Sequence, residues 1–196
     1  MDVLSAIENR RSIRKFSTNT IDNETIRNII KAGINAPSPK NSQPWKFVVV
    51  KESKQELITI IEEGLEEIKT NFGMLLDEKN FLLSAEATLN IIKEAPIIIF
   101  VINTENKQEH GKTRVKKYME MANILSIGAV VENMLLASHK YGIGSLWIGD
   151  IYFTINEISR WLQTDRQIAA AIALGYPDEK PSPKVRKGLD ELVEWK

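Results

Sequence analysis

Apolar positions along the chain fall into short continuous runs and into longer stretches with helical spacing. Two continuous runs, Trp45–Val50 and Ile97–Ile102, are typical of strands that are buried in a sheet. Gly144–Ile148 and Ile168–Leu174 predict two further strands. Strands that are separated in sequence by helices predict an α+β fold, with layers packed around one sheet.

Helical spacing accounts for most of the remaining apolar residues. Val3, Leu4 and Ile7 suit one face of a short first helix, and Asp22 is a suitable N-cap for a second helix that Pro37 would stop. The spacing predicts further helices over Ser53–Ile68, Ser84–Glu94, Met119–Tyr141 and Thr154–Leu162.

Three regions stand apart from this pattern. The helix Met119–Tyr141, which Gly142 would cap, is apolar around most of its circumference, so we expect it to be buried on several sides and to form a subunit interface. Residues 103–117 are polar and basic, which predicts a mobile loop or an excursion from the compact fold. The tail, about residues 178–196, is charged but ends in apolar residues, so we expect it to dock on the partner subunit. We expect residues 1–196 to form a single domain.

Charge and composition exclude several kinds of function. The chain has 196 residues, with 26 Lys plus Arg against 26 Asp plus Glu, and this balance argues against a nucleic-acid binder. It has no cysteine and two histidines, so disulfides and cysteine-held metals are excluded and a histidine-based metal site is not expected. Any redox chemistry therefore needs an organic cofactor.

The N-terminus and the apolar runs also bear on location. The first eight residues are too polar for the apolar core of a signal peptide, and Ile97–Ile102 is too short to span a bilayer as a helix. We therefore expect a cytoplasmic protein that makes no membrane contact.

Two cationic segments lie near opposite ends of the chain. If the chain is extended after the first helix, Arg10, Ser12 and Arg14 point the same way, and they would form a trap for a phosphate group. Lys184 and Arg186 have the same spacing after a proline-rich stretch that favours extended backbone. The alternative for each segment is a set of charges in water.

The segment between the second helix and the first strand is a polar loop braced by prolines. Its amides, Asn41 and Gln43, both donate and accept hydrogen bonds. They suit the recognition of a polar heterocycle, or equally the bracing of the loop itself.

Four segments together resemble signatures of the nitroreductase family of FMN-dependent oxidoreductases. They are Arg10–Phe16, Ala36–Trp45, Gly142–Gly149 and Leu174–Pro177, the last followed by Lys184 and Arg186. The matches occur in family order and cover nearly the whole chain. The resemblance implies a central mixed or antiparallel sheet flanked by helices, an intertwined homodimer, and an FMN site that the two subunits share.

The resemblance also implies roles for individual residues. Arg10, Ser12 and Arg14 would hold the FMN phosphate and ribityl chain, with Lys184 and Arg186 closing on the same phosphate. Arg11 belongs to the same signature, although alternation would turn its side chain away.

The loop and the third signature would contact the flavin itself. The resemblance implies that Pro37, Ser38 and Pro39 approach it from the partner subunit, with Asn41 and Gln43 supporting that loop or touching the cofactor. The backbone around Ile148 and Gly149 would face the reactive centre of the flavin. Ile148 stands where some family members carry an acidic residue.

Asn90 and Lys93 are spaced to share a helix face, as an Asn and a Lys that contact the flavin's pyrimidine edge do in related reductases. A cation there would stabilise anionic reduced flavin. The alternative is a solvated pair on a helix surface.

The implied activity is transfer of reducing equivalents from NADH or NADPH to a nitroaromatic, a quinone or a similar small acceptor. Both substrates would use the same face of one exposed flavin, so the kinetics would be ping-pong. The same framework also serves dehalogenation, dehydrogenation or flavin breakdown, and a non-enzymatic flavin-binding dimer is a further alternative.

Overall fold

A computed structural model describes residues 2–71, 76–107 and 113–196. Within these ranges one antiparallel sheet has the order β1-β2-β4-β3. Its strands are β1 (Trp45–Val50), β2 (Ile97–Lys107), β3 (Gly144–Ile148) and β4 (Arg166–Gly175). The predicted α+β class, with a central antiparallel sheet flanked by helices, is confirmed.

Seven α-helices are present in the described residues. They are α1 (Val3–Asn9), α2 (Asn23–Gly33), α3 (Lys54–Asn71), α4 (Leu76–Glu94), α5 (Arg114–Lys140), α6 (Ile155–Trp161) and α7 (Leu189–Leu192). Helices α2 and α5 cover one face of the sheet, whereas α3, α4 and α6 cover the other.

The core divides between the two faces of the sheet because side chains alternate along each strand. Ile97, Ile99 and Val101 of β2 pack on the side of α2 and α5, whereas Ile98 and Phe100 pack on the opposite side. All five are fully or almost fully buried. Burial on both faces explains why this stretch is continuously apolar in sequence.

Two predicted helix ends are confirmed. The carboxylate of Asp22 accepts a hydrogen bond from the backbone N–H of Thr25 at 2.8 Å, as an N-cap does. At the end of α5, Gly142 has a φ of +72°, a left-handed conformation that glycine adopts without steric cost.

The prediction of a loop or excursion over residues 103–117 is wrong at both ends of this stretch. Strand β2 continues through Lys107 and α5 begins at Arg114, while residues 108–112 lie outside the described residues. The polar residues of this stretch are accommodated in pairs, because Asn123 Nδ2 donates to Asn106 Oδ1 at 3.2 Å and both residues are buried. The fourth helix is also longer than predicted and begins at Leu76.

Helix α5 combines a buried half with an exposed half. Among the described helices it is the one long and apolar enough to cross a bilayer by length and composition, and an 18-residue stretch of it has a mean hydropathy of 1.4. Its C-terminal half packs on α2 and the sheet through Val130, Val131 and Met134, as a core helix does. Its N-terminal half exposes apolar side chains, among them Leu125, which is 67% exposed.

Candidate functional site

The first cationic segment is fixed to the edge of the sheet directly after α1. The backbone N–H of Ile13 donates to the carbonyl of Ser145 in β3 at 3.0 Å. The Ile13 side chain is buried and lies against Gly144, where a Cβ atom would come within 2.9 Å of it. The extended backbone expected here is therefore present, and glycine at position 144 permits its close approach to β3.

The second cationic segment is held against the first by the residues that follow β4. The backbone N–H of Asp178 donates to the carbonyl of Lys15 at 2.9 Å. The Glu179 carboxylate then accepts hydrogen bonds from the backbone N–H groups of Arg14 and Lys15, the latter at 3.2 Å. We call this arrangement the Glu179 clamp. It directs the tail back over the N-terminal segment.

The clamp brings the predicted phosphate-binding residues to one groove of about 530 Å³. Residues from both ends of the chain line it, and the predicted cofactor-binding residues among them are Arg10, Arg11, Ser12, Arg14, Lys184 and Arg186. Ser182 and the prolines on either side of it form the wall contributed by the tail. We call this space the phosphate groove.

The phosphate groove is strongly cationic although the chain carries no net charge. Five Lys and Arg side chains line it, against the carboxylates of Glu8 and Glu132. Arg10 Nε lies 3.5 Å from Glu132 Oε1 and is buried, yet it has no hydrogen-bond partner within the described part of the chain. This excess of cations over carboxylates fits a phosphate ester, whose oxygens accept several charge-assisted hydrogen bonds.

Arg11 departs from the predicted alternation. Its Nη1 donates to the backbone carbonyls of Glu8 and Arg10, both at 2.7 Å, so the guanidinium folds back over the end of α1. The same side chain lines the groove. Strict alternation fails at Arg11 because these two carbonyls hold its guanidinium.

The loop before β1 is tightly bent and internally braced. Lys40, Asn41 and Gln43 have positive φ values of 53°, 57° and 48°, which non-glycine residues adopt rarely. The Ser38 hydroxyl accepts a hydrogen bond from the backbone N–H of Gln43 at 3.0 Å, and Gln43 Nε2 donates to the carbonyl of Asn41 at 3.3 Å. Loop bracing, one of the two interpretations of these amides, is thus observed for the side chain of Gln43.

This loop lies apart from the phosphate groove of its own chain. Among the described residues that line the groove, none belongs to the stretch from Pro37 to Gln43, which includes Pro39. Pro37 and Pro39 are exposed and Ser38 is half-buried.

The far end of β3 is anchored to α4. Gly149 follows Ile148, the last residue of the strand, and no atom lies within 4 Å of the position that a Cβ would occupy there. The carboxylate of Asp150 accepts hydrogen bonds from the hydroxyls of Ser84 at 2.8 Å and Thr88 at 3.1 Å. The Gly149 backbone is therefore open on one side and fixed by its neighbour.

Asn90 and Lys93 lie on α4, outside the phosphate groove. Asn90 is exposed, and Lys93 Nζ forms an ion pair with Glu62 Oε1 of α3 at 2.6 Å. This arrangement matches the alternative of a solvated pair on a helix surface. Contact of Asn90 and Lys93 with a flavin stays a prediction.

A second cavity of about 490 Å³ adjoins the phosphate groove, and Arg10 and Arg11 line both. His139, near the end of α5, lines this second cavity. Burial, together with the positive charges of Arg10 and Arg11, holds the pKa of His139 below its usual value. The imidazole is therefore neutral at pH 7.

Sequence reasoning missed three residues of this region: Glu179, Asp150 and His139. Glu179 was the one that the sequence could have indicated, because it is an acidic residue directly before a cationic stretch in the tail. The positions of Asp150 and His139 depend on tertiary packing, which no local pattern reports.

Comparison with known proteins is consistent across sequence and structure. The model of the nitroreductase family matches residues 7–176. A protein of Archaeoglobus fulgidus, provisionally named NADH dehydrogenase/NAD(P)H nitroreductase, is 30% identical over 91% of this chain and 88% of its own length. Iodotyrosine deiodinase 1 of Mus musculus is 32% identical over 95% of this chain and 67% of its own length.

A solved structure extends the similarity to the fold. A protein of Desulfovibrio desulfuricans, provisionally named a nitroreductase and crystallised with FMN, superposes with a TM-score of 0.72 and 29% identity. The similarity covers 100% of this chain and 97% of that protein. With the family model matching most of the sequence, the chain belongs to the nitroreductase family.

Proposed function

We propose that this chain is an FMN-dependent oxidoreductase that moves reducing equivalents from NADH or NADPH to a nitroaromatic, a quinone or a similar small acceptor. The observation that carries the proposal is the phosphate groove, where cations from both ends of the chain converge on one space. The FMN complex of the Desulfovibrio desulfuricans relative supports the choice of ligand.

The phosphate end of FMN is assigned to the groove. Arg10, Ser12 and Arg14 hold the phosphate and ribityl chain from the N-terminal side, and Lys184 and Arg186 hold the phosphate from the tail. The excess of five cationic side chains over two carboxylates along the groove supports this assignment, since phosphate oxygens accept charge-assisted hydrogen bonds. Arg11 lines the same wall and ties the end of α1 to it.

The ring end is assigned to the opposite end of β3. Gly149 and the backbone of Ile148 face the ring, while Asp150 holds them in position through α4. FMN held there would supply the redox chemistry, which is uptake of a hydride from the nicotinamide and release of reducing equivalents to the acceptor. The chain's own contribution is to bind and orient the reactants. Lys93 would reach the ring if its ion pair with Glu62 opened.

The acting unit is a homodimer of one-domain subunits, residues 1–196. The N-terminal half of α5 exposes apolar side chains that a second copy would cover: Val115, Tyr118, Met119, Met121 and Leu125. The strained Pro37–Gln43 loop would reach the partner's flavin, and the tail, with Trp195 88% exposed, would dock on the partner. A cytoplasmic location is part of the same proposal.

Absorbance spectra of the purified protein test this function. The protein should bind FMN, and NADH or NADPH should bleach the flavin band without oxygen, with recovery when a nitroaromatic or quinone is added. Because reductant and acceptor use one site in turn, initial rates should give parallel double-reciprocal lines. A protein that binds no flavin, or whose bound flavin neither nicotinamide reduces, would overturn the proposal.

Reductive dehalogenation is the second candidate. The observation that favours it is the similarity to iodotyrosine deiodinase 1 over 95% of this chain. Iodide release from iodotyrosine by the reduced protein would support this candidate. Turnover of nitroaromatics or quinones without iodide release would decide for the first.

A further inference from the structure

Strand β3 exposes one large side chain although it is otherwise buried. Trp147 is 45% exposed, whereas the other four residues of β3 are buried. A single exposed apolar side chain on a protein surface needs no explanation by itself. The significance of this indole therefore depends on what lies beside it.

The phosphate groove begins beside the same strand. Ser12, which lines the groove, forms a bridge with Ser145 of β3, next to the 3.0 Å hydrogen bond from Ile13 to the Ser145 carbonyl. Trp147 lies two residues beyond Ser145, about 7 Å along the strand, and alternate residues of a strand direct their side chains to the same face. The indole is thus the next side chain on this face, between the groove and Gly149.

Helix α5 leads to the same place independently. Trp147 is opposite Ile172 of β4, which packs on the side of α2 and α5. A Cβ atom at Gly128 of α5 would lie 4.0 Å from Cη2 of Trp147, so the indole lies over a helix position without a side chain. Glu132, one turn further along α5, lines the phosphate groove and pairs with Arg10. The groove and the indole are therefore neighbours along the helix as well as along the strand.

The flavin ring is the occupant that this position fits. In FMN the ribityl chain joins the phosphate to the ring, so a phosphate held in the groove keeps the ring within the length of that chain. An indole presents a flat aromatic surface, and flat heterocycles stack on such surfaces. The rival occupant is a second copy of this chain, because Leu125, about one turn before Gly128, is exposed as well. Continuity with the groove favours the flavin, since the indole lies between the places assigned to the phosphate and to the reactive centre of the ring.

We propose that Trp147 is a flavin-binding residue whose indole packs against one face of the ring. This inference rests on the proposed function, and it adds a side-chain contact on a strand where only backbone contacts were expected. It has an optical consequence. An indole in contact with a flavin donates an electron to the photoexcited ring and then takes it back, which removes the emission of the flavin. Bound FMN should therefore fluoresce less than free FMN.

Titration of flavin-free protein with FMN, followed by flavin emission, tests the inference. Trp147→Phe keeps an aromatic ring but removes the electron donor, so the emission of bound FMN should rise severalfold while Kd changes by less than about threefold. Trp147→Ala removes the stacking surface, so Kd should rise about tenfold. Trp161→Phe is the matched control, because Trp161 lies on the other side of the sheet and lines neither the groove nor the second cavity. FMN bound to this control should stay as dim as FMN bound to the unaltered chain.

The outcomes separate the inference from the proposed function. If FMN binds but its emission matches that of free FMN, or stays dim in Trp147→Phe, the indole does not contact the ring, and the inference fails while the proposed function stands. If Trp147→Ala shifts the protein to a smaller species in sedimentation velocity and the emission of Trp147→Phe is unchanged, a second copy covers the indole and the inference also fails. If FMN does not bind the unaltered chain, both are overturned.

Discussion

Removal of the Glu179 carboxylate separates two opposite expectations for flavin binding. Glu179 lines the cavity beside the phosphate groove, so simple electrostatics predicts that losing its negative charge strengthens the binding of an anion. The structure shows that Glu179 also holds the tail against the N-terminal segment, because its carboxylate accepts hydrogen bonds from the backbone N–H groups of Arg14 and Lys15. If the clamp assembles the groove, Glu179→Ala should weaken FMN binding.

The magnitudes favour the clamp. Two hydrogen bonds to a charged group contribute about 1.5–3 kcal/mol each, and partial exposure lowers their sum here to about 2–3 kcal/mol. In a water-like dielectric, two unit charges about 4 Å apart interact by about 1 kcal/mol, and by less at longer range, so the loss of one exposed carboxylate has a modest electrostatic effect. The difference favours weaker binding, and we expect Kd for FMN to rise about tenfold or more as the tail detaches.

Fluorescence titration with FMN at fixed ionic strength measures this change. Glu194→Ala is the matched control, because Glu194 is a tail carboxylate whose ion pair is with Lys196 near the chain end. The control should bind FMN as the unaltered chain does. Tighter or unchanged binding by Glu179→Ala, with the fold intact by circular dichroism, would refute the clamp.

Three further predictions concern the framework around the site. Gly175→Ala should destabilise the fold by about 1–3 kcal/mol in urea unfolding, because the new Cβ would lie 2.6 Å from Phe16; a stabilised variant would contradict this contact. Lys54→Ala should cost about 1–2 kcal/mol, since Lys54 Nζ donates to two carbonyls at the end of α4, each at 2.9 Å; the exposed Lys51→Ala, measured alongside, should change stability by less than about 0.5 kcal/mol. The pKa of His139 is lower in the folded protein than in the unfolded chain, so as pH falls the unfolded chain binds a proton on His139 before the folded protein does. The free energy of unfolding should therefore decrease as pH drops below about 6.5. Urea titrations across pH should show a smaller decrease for His139→Gln.

Local sequence patterns were sufficient to predict the sheet and most of the helices. The run Ile97–Ile102 reports burial on both faces of a strand, and Asp22 and Gly142 report helix ends through backbone chemistry that each residue type carries with it. Such features depend on few neighbours in sequence. They can therefore be predicted without knowing the fold.

Features that depend on distant residues were predicted less well. The polar stretch after Asn103 was interpreted as a loop because its buried partners, such as Asn123 for Asn106, lie elsewhere in the sequence. Periodicity placed Lys93 on a helix face, but its ion pair with Glu62 depends on how α3 packs against α4. Alternation likewise could not anticipate that Arg11 folds back onto α1.

The joining of the two chain ends explains how a protein without net charge forms a cationic site. The backbone of residues 13–15 is held on one side by β3 and on the other by the start of the tail, so the nearby arginines converge with the cations of the tail. Mutual repulsion among those cations opposes this closure, and the Glu179 clamp offsets part of it. A bound phosphate would offset more, because its charge is shared by both segments. Ligand binding and closure of the tail are therefore one linked equilibrium, in which each favours the other by the same free energy.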